Sequence, residues 1–258
     1  MTLTAELLVR IAVDHGTPAY VYSADLVERR VRELADGTAD RFELAYAVKA
    51  NPNPSLLELL RTLVDRADVS SAGEVAAATA AGWPPASLGF TGPVKGRAEL
   101  EAAVEAGVGT IVLESLEEAV ELDRIARRRR SRQAVLLRAT PHRLPPGYGL
   151  RLAGRPSPFG VDEEELAAVA AAVSRLSGLE LVGFHAYPGS QCLDAAAVVS
   201  TMTDMARLFR DASMAVGLRP ELLVFGPGLG VASHPGDQRL DLDVVAAGLG
   251  PVADGLRG

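Results

Sequence analysis

Ala45-Tyr-Ala-Val-Lys-Ala-Asn-Pro-Asn-Pro54 reads as a short strand that delivers a lysine to its end and then turns into a helix. Strand side chains alternate between faces, so Ala45, Ala47 and Lys49 point one way while Tyr46 and Val48 point the other. Two methyl groups below an amine leave space around it, which suits a lysine facing a bound molecule. Read by itself, a solvated lysine at a strand end is the simpler account.

Outward from this stretch the chain alternates. Upstream, Leu3–His15 is expected as an amphipathic helix ending at Gly16, Pro18-Ala-Tyr-Val-Tyr22 as β-rich, and Ser23 as the cap of a helix towards Leu34. Downstream, Asn53 caps and Pro54 opens a helix to about Val64. Strands follow at Ala67–Ser71, Ser87–Thr91, Gly109–Leu113, Ala134–Arg138, Leu179–Tyr187 and Glu221–Phe225. Between and after them come helices at Gly73–Ala81, Arg97–Ala106, Ser115–Arg128, Asp162–Leu176, Asp194–Val216 and Asp241–Leu256. His142–Phe159, rich in Pro, Gly and Arg, is left as a long loop, and loops of that length are usually functional.

Apolar strands alternating with helices argue an α/β protein with a parallel sheet covered by helices. Counting from the lysine strand gives seven strands, whereas a closed (β/α)₈ barrel needs eight. The expected fold is a TIM-like barrel that stops before its eighth strand, one domain over residues 1–258 with residues 1–40 as a lead-in. An open doubly wound sheet is the alternative, but no GxGxxG follows the first strand to support it.

Composition narrows the function. At 48% hydrophobic and 23% charged residues the chain has an ordinary globular balance, and its net charge of −7 gives no bulk attraction to nucleic acid or an anionic membrane. A single cysteine, Cys192, excludes an internal disulfide framework. The start of the chain has no basic segment followed by a long apolar one, so the expectation is a soluble cytoplasmic protein. The run Arg127–Arg130 is expected to be a solvated helix end complementing the helix dipole. The histidines and the cysteine show no metal-ligand spacing, and no metal site is expected.

In a parallel barrel, ligands sit at the C-terminal ends of the strands. Lys49 and Asp68 lie there; Asp68 is either a strand-edge carboxylate or a group that sets the charge around the lysine. His185 and Tyr187 share a face of the sixth strand above Gly183, and an aromatic beside a histidine suits a stacked flat ligand. Pro188-Gly-Ser-Gln191 then supplies a hydroxyl and backbone N–H groups. After the seventh strand, Phe225-Gly-Pro-Gly-Leu-Gly230 is either a plain strand-exit turn or a cradle of N–H groups for an anion. An amine, a stacking face and an anion cradle together match pyridoxal 5′-phosphate.

With these residues in hand the sequence resembles the fold-type III pyridoxal-phosphate decarboxylases, which act on diaminopimelate, ornithine and arginine. The resemblance runs from Thr17 to the end of the chain. It rests, in order, on Tyr46-Ala-Val-Lys-Ala-Asn-Pro52, Asp68-Val-Ser-Ser-Ala-Gly-Glu74, Phe90-Thr-Gly-Pro-Val-Lys95, Phe159-Gly-Val161, Gly183-Phe-His185 with Gly189-Ser-Gln191, and Gly226–Gly230. It implies an alanine racemase-like barrel in which Lys49 forms a Schiff base with the cofactor. It also implies that Ser190, Gly226, Gly228 and Gly230 hold the phosphate, while Asp68, Glu74, Arg138 and His185 line the site. The implied reaction is decarboxylation of an amino acid, with Lys49, Asp68 and His185 carrying it, in a head-to-tail homodimer.

Departures from the pattern are specific. Tyr187 stands where most members set a histidine against the ring, and Ser157-Pro-Phe-Gly-Val-Asp162 replaces a Ser-Lys-Phe-Gly pattern. Both resemble a biosynthetic branch that includes decarboxylases of aminoacyl groups on carrier proteins. Pro227 replaces a usual glycine and removes one N–H from the cradle. The family's Glu-Pro-Gly-Arg segment and C-terminal β-domain would follow Gly258, so the chain is expected to be a truncated or degenerate barrel, weakly active by itself. Arg143, Arg151 and Arg155 are candidates for an anionic substrate group or a phosphopantetheine, or for a plain basic loop. The alternatives are a cofactor-binding barrel without turnover, a racemase on the same cofactor, and a barrel with unrelated chemistry.

Overall fold

The computed structural model describes residues 3–38, 41–155 and 157–257. Helices α1 (Ala5–His15) and α2 (Ala24–Thr38) lead in. Thr4 caps α1, accepting from the Leu7 N–H, and Gly16 ends it. No residue of α1 is buried, and its Val9 and Val13 face solvent. The β-rich Pro18–Tyr22 segment forms no strand. Tyr20 is 93% exposed, and among the described residues the segment meets no strand edge to pair with. β-propensity alone does not make a strand without a neighbour.

From there the alternation is regular: β1 (Ala45–Ala47), α3 (Pro54–Leu60), β2 (Arg66–Val69), α4 (Ala72–Ala80), β3 (Leu88–Phe90), α5 (Arg97–Ala106), β4 (Thr110–Leu113), α6 (Leu116–Arg128) and β5 (Gln133–Thr140). Next come β6 (Tyr148–Arg151), β7 (Val161–Asp162), α7 (Leu166–Val173), β8 (Leu179–Ala186), β9 (Gly189–Cys192), α8 (Ala195–Val216), β10 (Leu222–Phe225) and α9 (Leu242–Arg257). Caps fix the helix starts, at Asn53 as the sequence suggests. Asn53 accepts from Ser55 and Leu56, Ser71 from Glu74, and Ser115 from Glu118, each cap worth about 1 kcal/mol. At the other end of α6, the exposed Arg127, Arg128 and Arg129 pair with the buried Asp123 and the exposed Glu101 and Glu105.

Seven strands form one parallel sheet in the order β1-β2-β3-β4-β5-β8-β10, with β7 added beside the end of β5. Period-two alternation sorts their side chains. Val69, Phe90, Ile111, Leu137 and Phe184 pack outward against the helices, whereas Val112, Leu136 and Val182 form a separate interior cluster with Leu222 and Val224. Gly183 marks a break in the β5–β8 register, and a Cβ there would lie 1.8 Å from the Leu222 carbonyl oxygen.

The curled sheet does not close. Among the described residues β1 and β10 each pair on one side only. Residues Leu222–Phe225 are accordingly only half-buried, while β4 is buried throughout. Between these edges runs an apolar groove of about 610 Å³, lined by Phe42, Leu222–Phe225, Leu242, Val245 and Leu249. Helix α9 roofs it, packing on both α8 and α2, and Phe42 meets Phe225 edge-on at 6.1 Å. Thus the helical layer closes where the sheet is open, which matches the seven-strand count.

Two local readings are corrected. Strand β1 ends at Ala47, and Val48–Ala50 form a 3₁₀ turn, so Lys49 stands on a turn above the strand. The His142–Phe159 loop is not structureless: β6 within it pairs antiparallel with β9, Tyr148 opposite Cys192 and Leu150 opposite Ser190. Pro156 lies outside the described residues.

Candidate active site

The C-terminal ends of the strands present a ring of polar side chains. Asp68 comes from β2, Thr91 and Glu114 from just past β3 and β4, Arg138 from β5, and His185 from β8 opposite Arg138 in register. The Thr91 hydroxyl donates to Asp68 at 2.5 Å. Burial raises the Asp68 carboxyl above its ordinary pKa, against the Thr91 hydrogen bond and the charges of Lys49 and Arg138. Arg138 and Glu114 form a salt bridge of 3.0 Å with side chains 5% and 6% exposed. Glu114 also accepts the Gly160 N–H at 2.7 Å, tying the segment before β7 to the barrel.

A second buried pair supports the first. Lys95, whose side chain is wholly buried, contacts Glu118 at 2.8 Å and donates to the Gly92 carbonyl. Glu118 in turn accepts the Glu114 N–H at 2.7 Å. Glu114, Lys95 and Glu118 were not singled out as site residues from sequence. Only Glu114 carried a signal: Thr110, Val112 and Glu114 follow one another at period two on the interior face of β4.

His185 is buried, and its Nδ1 has no hydrogen-bond partner among the described residues. Burial first, then the charges of Arg138, Lys49 and Lys95, lower its pKa to about 3, so the imidazole is neutral at ordinary pH. Lys49 is exposed, and its Nζ lies 6.0 Å from the centre of the Tyr187 ring. Tyr187 folds over Gly226, where a Cβ would come 2.4 Å from its Cδ2. The structure thus brings Lys49, Asp68, Arg138, His185 and Tyr187 to one end of the sheet. Glu74 is turned instead to the Ser70 N–H at 2.8 Å, closing the first turn of α4.

The glycine segment after β10 lies against β9. Cys192 N–H donates to Gly228 O at 2.9 Å, and Gly230 N–H donates to Cys192 O at 2.8 Å. Gly228 takes φ +71°, and a Cβ there would sit 2.2 Å from Gly189 O. Only glycine allows this approach. Neither the Gly228 nor the Leu229 N–H donates to another group among the described residues. Ser190 stands beside them on β9. Further out, Arg151 donates to the carbonyls of Leu144 and Pro145, so its guanidinium holds the loop in place. Among the described residues no group of three or more His, Cys, Asp or Glu could hold a metal ion, and no helix is long and apolar enough to cross a membrane.

Pyridoxal 5′-phosphate fits these residues. The orphaned His185 Nδ1, the exposed amine on its turn, and the two successive N–H groups of Gly228 and Leu229 that donate to nothing among the described residues are the features such a group needs.

Comparison with known proteins agrees. The model of the pyridoxal-binding domain of pyridoxal-dependent decarboxylases matches residues 24–254. An L-glutamyl-(BtrI acyl-carrier protein) decarboxylase from Niallia circulans is 33% identical over 88% of this chain and 53% of its own length. The diaminopimelate decarboxylase of Aquifex aeolicus is 33% identical over 90% of this chain and 55% of its own length. Among solved structures, Helicobacter pylori diaminopimelate decarboxylase complexed with L-lysine superposes with a TM-score of 0.85 at 26% identity, over 96% of this chain and 63% of that one. The chain therefore spans about half the length of the curated relatives it matches.

Proposed function

The chain belongs to the pyridoxal-dependent decarboxylases through their pyridoxal-binding domain, its cofactor is pyridoxal 5′-phosphate, and we propose that it serves the decarboxylation of an amino acid with Lys49 as the covalent anchor. The observation that carries this reading is the exposed Lys49 amine on its turn, facing Tyr187 at the end of the sheet where Asp68, Arg138 and His185 converge. When bound, the cofactor supplies an aldehyde that joins an amine and a ring that accepts the electron pair left as carbon dioxide departs.

The protein's own groups do the rest. Ser190 and the N–H groups of Gly228 and Leu229 take the phosphate. Gly226 leaves room for Tyr187 to lie flat, so Tyr187 offers its ring face. Asp68 sets the charge near Lys49 and is itself fixed by Thr91. Neutral His185 offers a polar edge without adding positive charge. The Glu114–Arg138 pair holds the wall between them rigid.

The relatives support an α-amino acid as the substrate class, free or carried as an aminoacyl group on a carrier protein. Binding without turnover is the competing reading. Borohydride reduction of the cofactor-loaded protein should attach mass to the peptide carrying Lys49, and the Lys49→Ala protein should show neither that mass nor a visible absorption band. A band retained in the alanine protein would overturn the anchor. Carbon dioxide release is then measured on diaminopimelate, ornithine, arginine and glutamyl carrier protein, and silence on all of them would favour binding alone.

A further inference from the structure

We propose that Tyr148 is the positioning residue of the phosphate cradle: through its hydrogen bond to the Pro227 carbonyl it turns the Gly228 N–H outward to receive an anion. The inference rests on the reading of the glycine segment as a phosphate site. Tyr148 lies on β6, opposite Cys192, and is 7% exposed. Its phenol oxygen is 3.0 Å from Pro227 O and 2.8 Å from the Thr201 hydroxyl on α8. The Pro227 carbonyl can only accept, so the single phenol proton belongs there. Thr201 has a proton of its own, for the phenol oxygen or for Ala197 O at 2.8 Å. Burial pushes the phenol up to about 12, so it keeps that proton throughout the neutral range.

A trans peptide is planar, with its carbonyl and N–H on opposite sides. Fixing Pro227 O towards Tyr148 therefore fixes the Gly228 N–H away from it. The next peptide is fixed in the same manner, because Gly228 O accepts from Cys192 N–H. Both carbonyls are held by the β6–β9 ribbon, and both N–H groups, Gly228 and Leu229, point away from it. Such successive N–H groups make an anion nest. Pro227 itself brings no N–H to the cradle, which makes the aim of the next two matter more. Nothing else among the described residues holds the Pro227 carbonyl.

The test uses two ligands without an aldehyde, 4-deoxypyridoxine 5′-phosphate and 4-deoxypyridoxine, so that affinity does not depend on Lys49. Dissociation constants are measured by titration calorimetry on wild type, Tyr148→Phe and Thr201→Val. The expected result is that wild type prefers the phosphorylated ligand, and that Tyr148→Phe weakens that ligand alone by about tenfold, the scale of one hydrogen bond to a charged group. Thr201→Val keeps the phenol–carbonyl bond and should keep the preference. Equal weakening of both ligands in Tyr148→Phe, an unchanged preference there, or a matching loss in Thr201→Val would overturn the role of Tyr148 while leaving the cradle intact. If wild type shows no preference for the phosphorylated ligand, the cradle reading itself falls, and the role of Tyr148 with it.

Discussion

Acid should destabilise the cofactor-free protein through His185, and the size of the effect can be worked out. In the unfolded chain a histidine titrates near 6.5, while in the folded protein burial and the cations Arg138, Lys49 and Lys95 hold His185 at about 3. Between those values the unfolded state binds the extra proton and the folded state does not. Stability is therefore greatest above 6.5 and falls as the pH drops from there towards about 3. Taking the pH from about 7 to about 5 should cost about 2 kcal/mol from this residue alone. Asp68 and Glu118, raised by burial, act with the opposite sign, because the folded state binds their protons more readily. Both remain in a His185→Gln protein, so the comparison isolates the histidine. Urea unfolding at the two pH values should show the variant losing about 2 kcal/mol less than wild type. Identical losses in the two proteins would refute the claim that a buried neutral imidazole faces these cations.

Two more perturbations bear on the supporting structure. Glu114→Leu leaves Arg138 buried without its partner and should cost about 3–5 kcal/mol in urea unfolding, most of it recovered in the Glu114→Leu, Arg138→Met double variant, whereas additive losses would show that the pair is not coupled. Gly217→Ala, in a left-handed position with nothing within 4 Å, should cost only about 1–2 kcal/mol. Gly228→Ala adds a clash with Gly189 O to the same strain, so it should lose more stability and also its affinity for 4-deoxypyridoxine 5′-phosphate; equal behaviour of the two would count against the close approach.

The sheet was legible because its strands are apolar, short and separated by well-capped helices. Caps act locally: Asn53 makes the bonds expected of it, and Ser71 and Ser115 cap their helices in the same way. The interior groups Asp68 and His185 were legible because a period of two and a barrel's ligand-binding end suffice to place them, whereas Arg138 came only from the family resemblance. What escaped depended on distant partners. β6 is hidden among Gly, Pro and Arg and exists only because β9, some forty residues on, pairs with it. Tyr20 and Tyr22 have strand-forming side chains but, among the described residues, no strand beside them. The turn under Lys49 follows from how the chain leaves β1, which alternation cannot reveal. Buried ion pairs such as Lys95–Glu118 join residues on different βα units, and neither partner is unusual in its own segment.

The open edge of the sheet has a mechanical consequence. Lys49 leaves from β1 and the glycine segment leaves from β10, the two strands that flank the groove. The proposed anchor and the proposed cradle are thus joined across the gap by helix packing and by the Phe42–Phe225 contact, with no ladder of backbone hydrogen bonds between them among the described residues. Every other neighbouring pair of strands in the barrel holds its spacing by such a ladder. Widening or narrowing of the groove changes the span from the Lys49 amine to the glycine segment directly, so a ligand that bridged the two would also act as a brace between the barrel's edges.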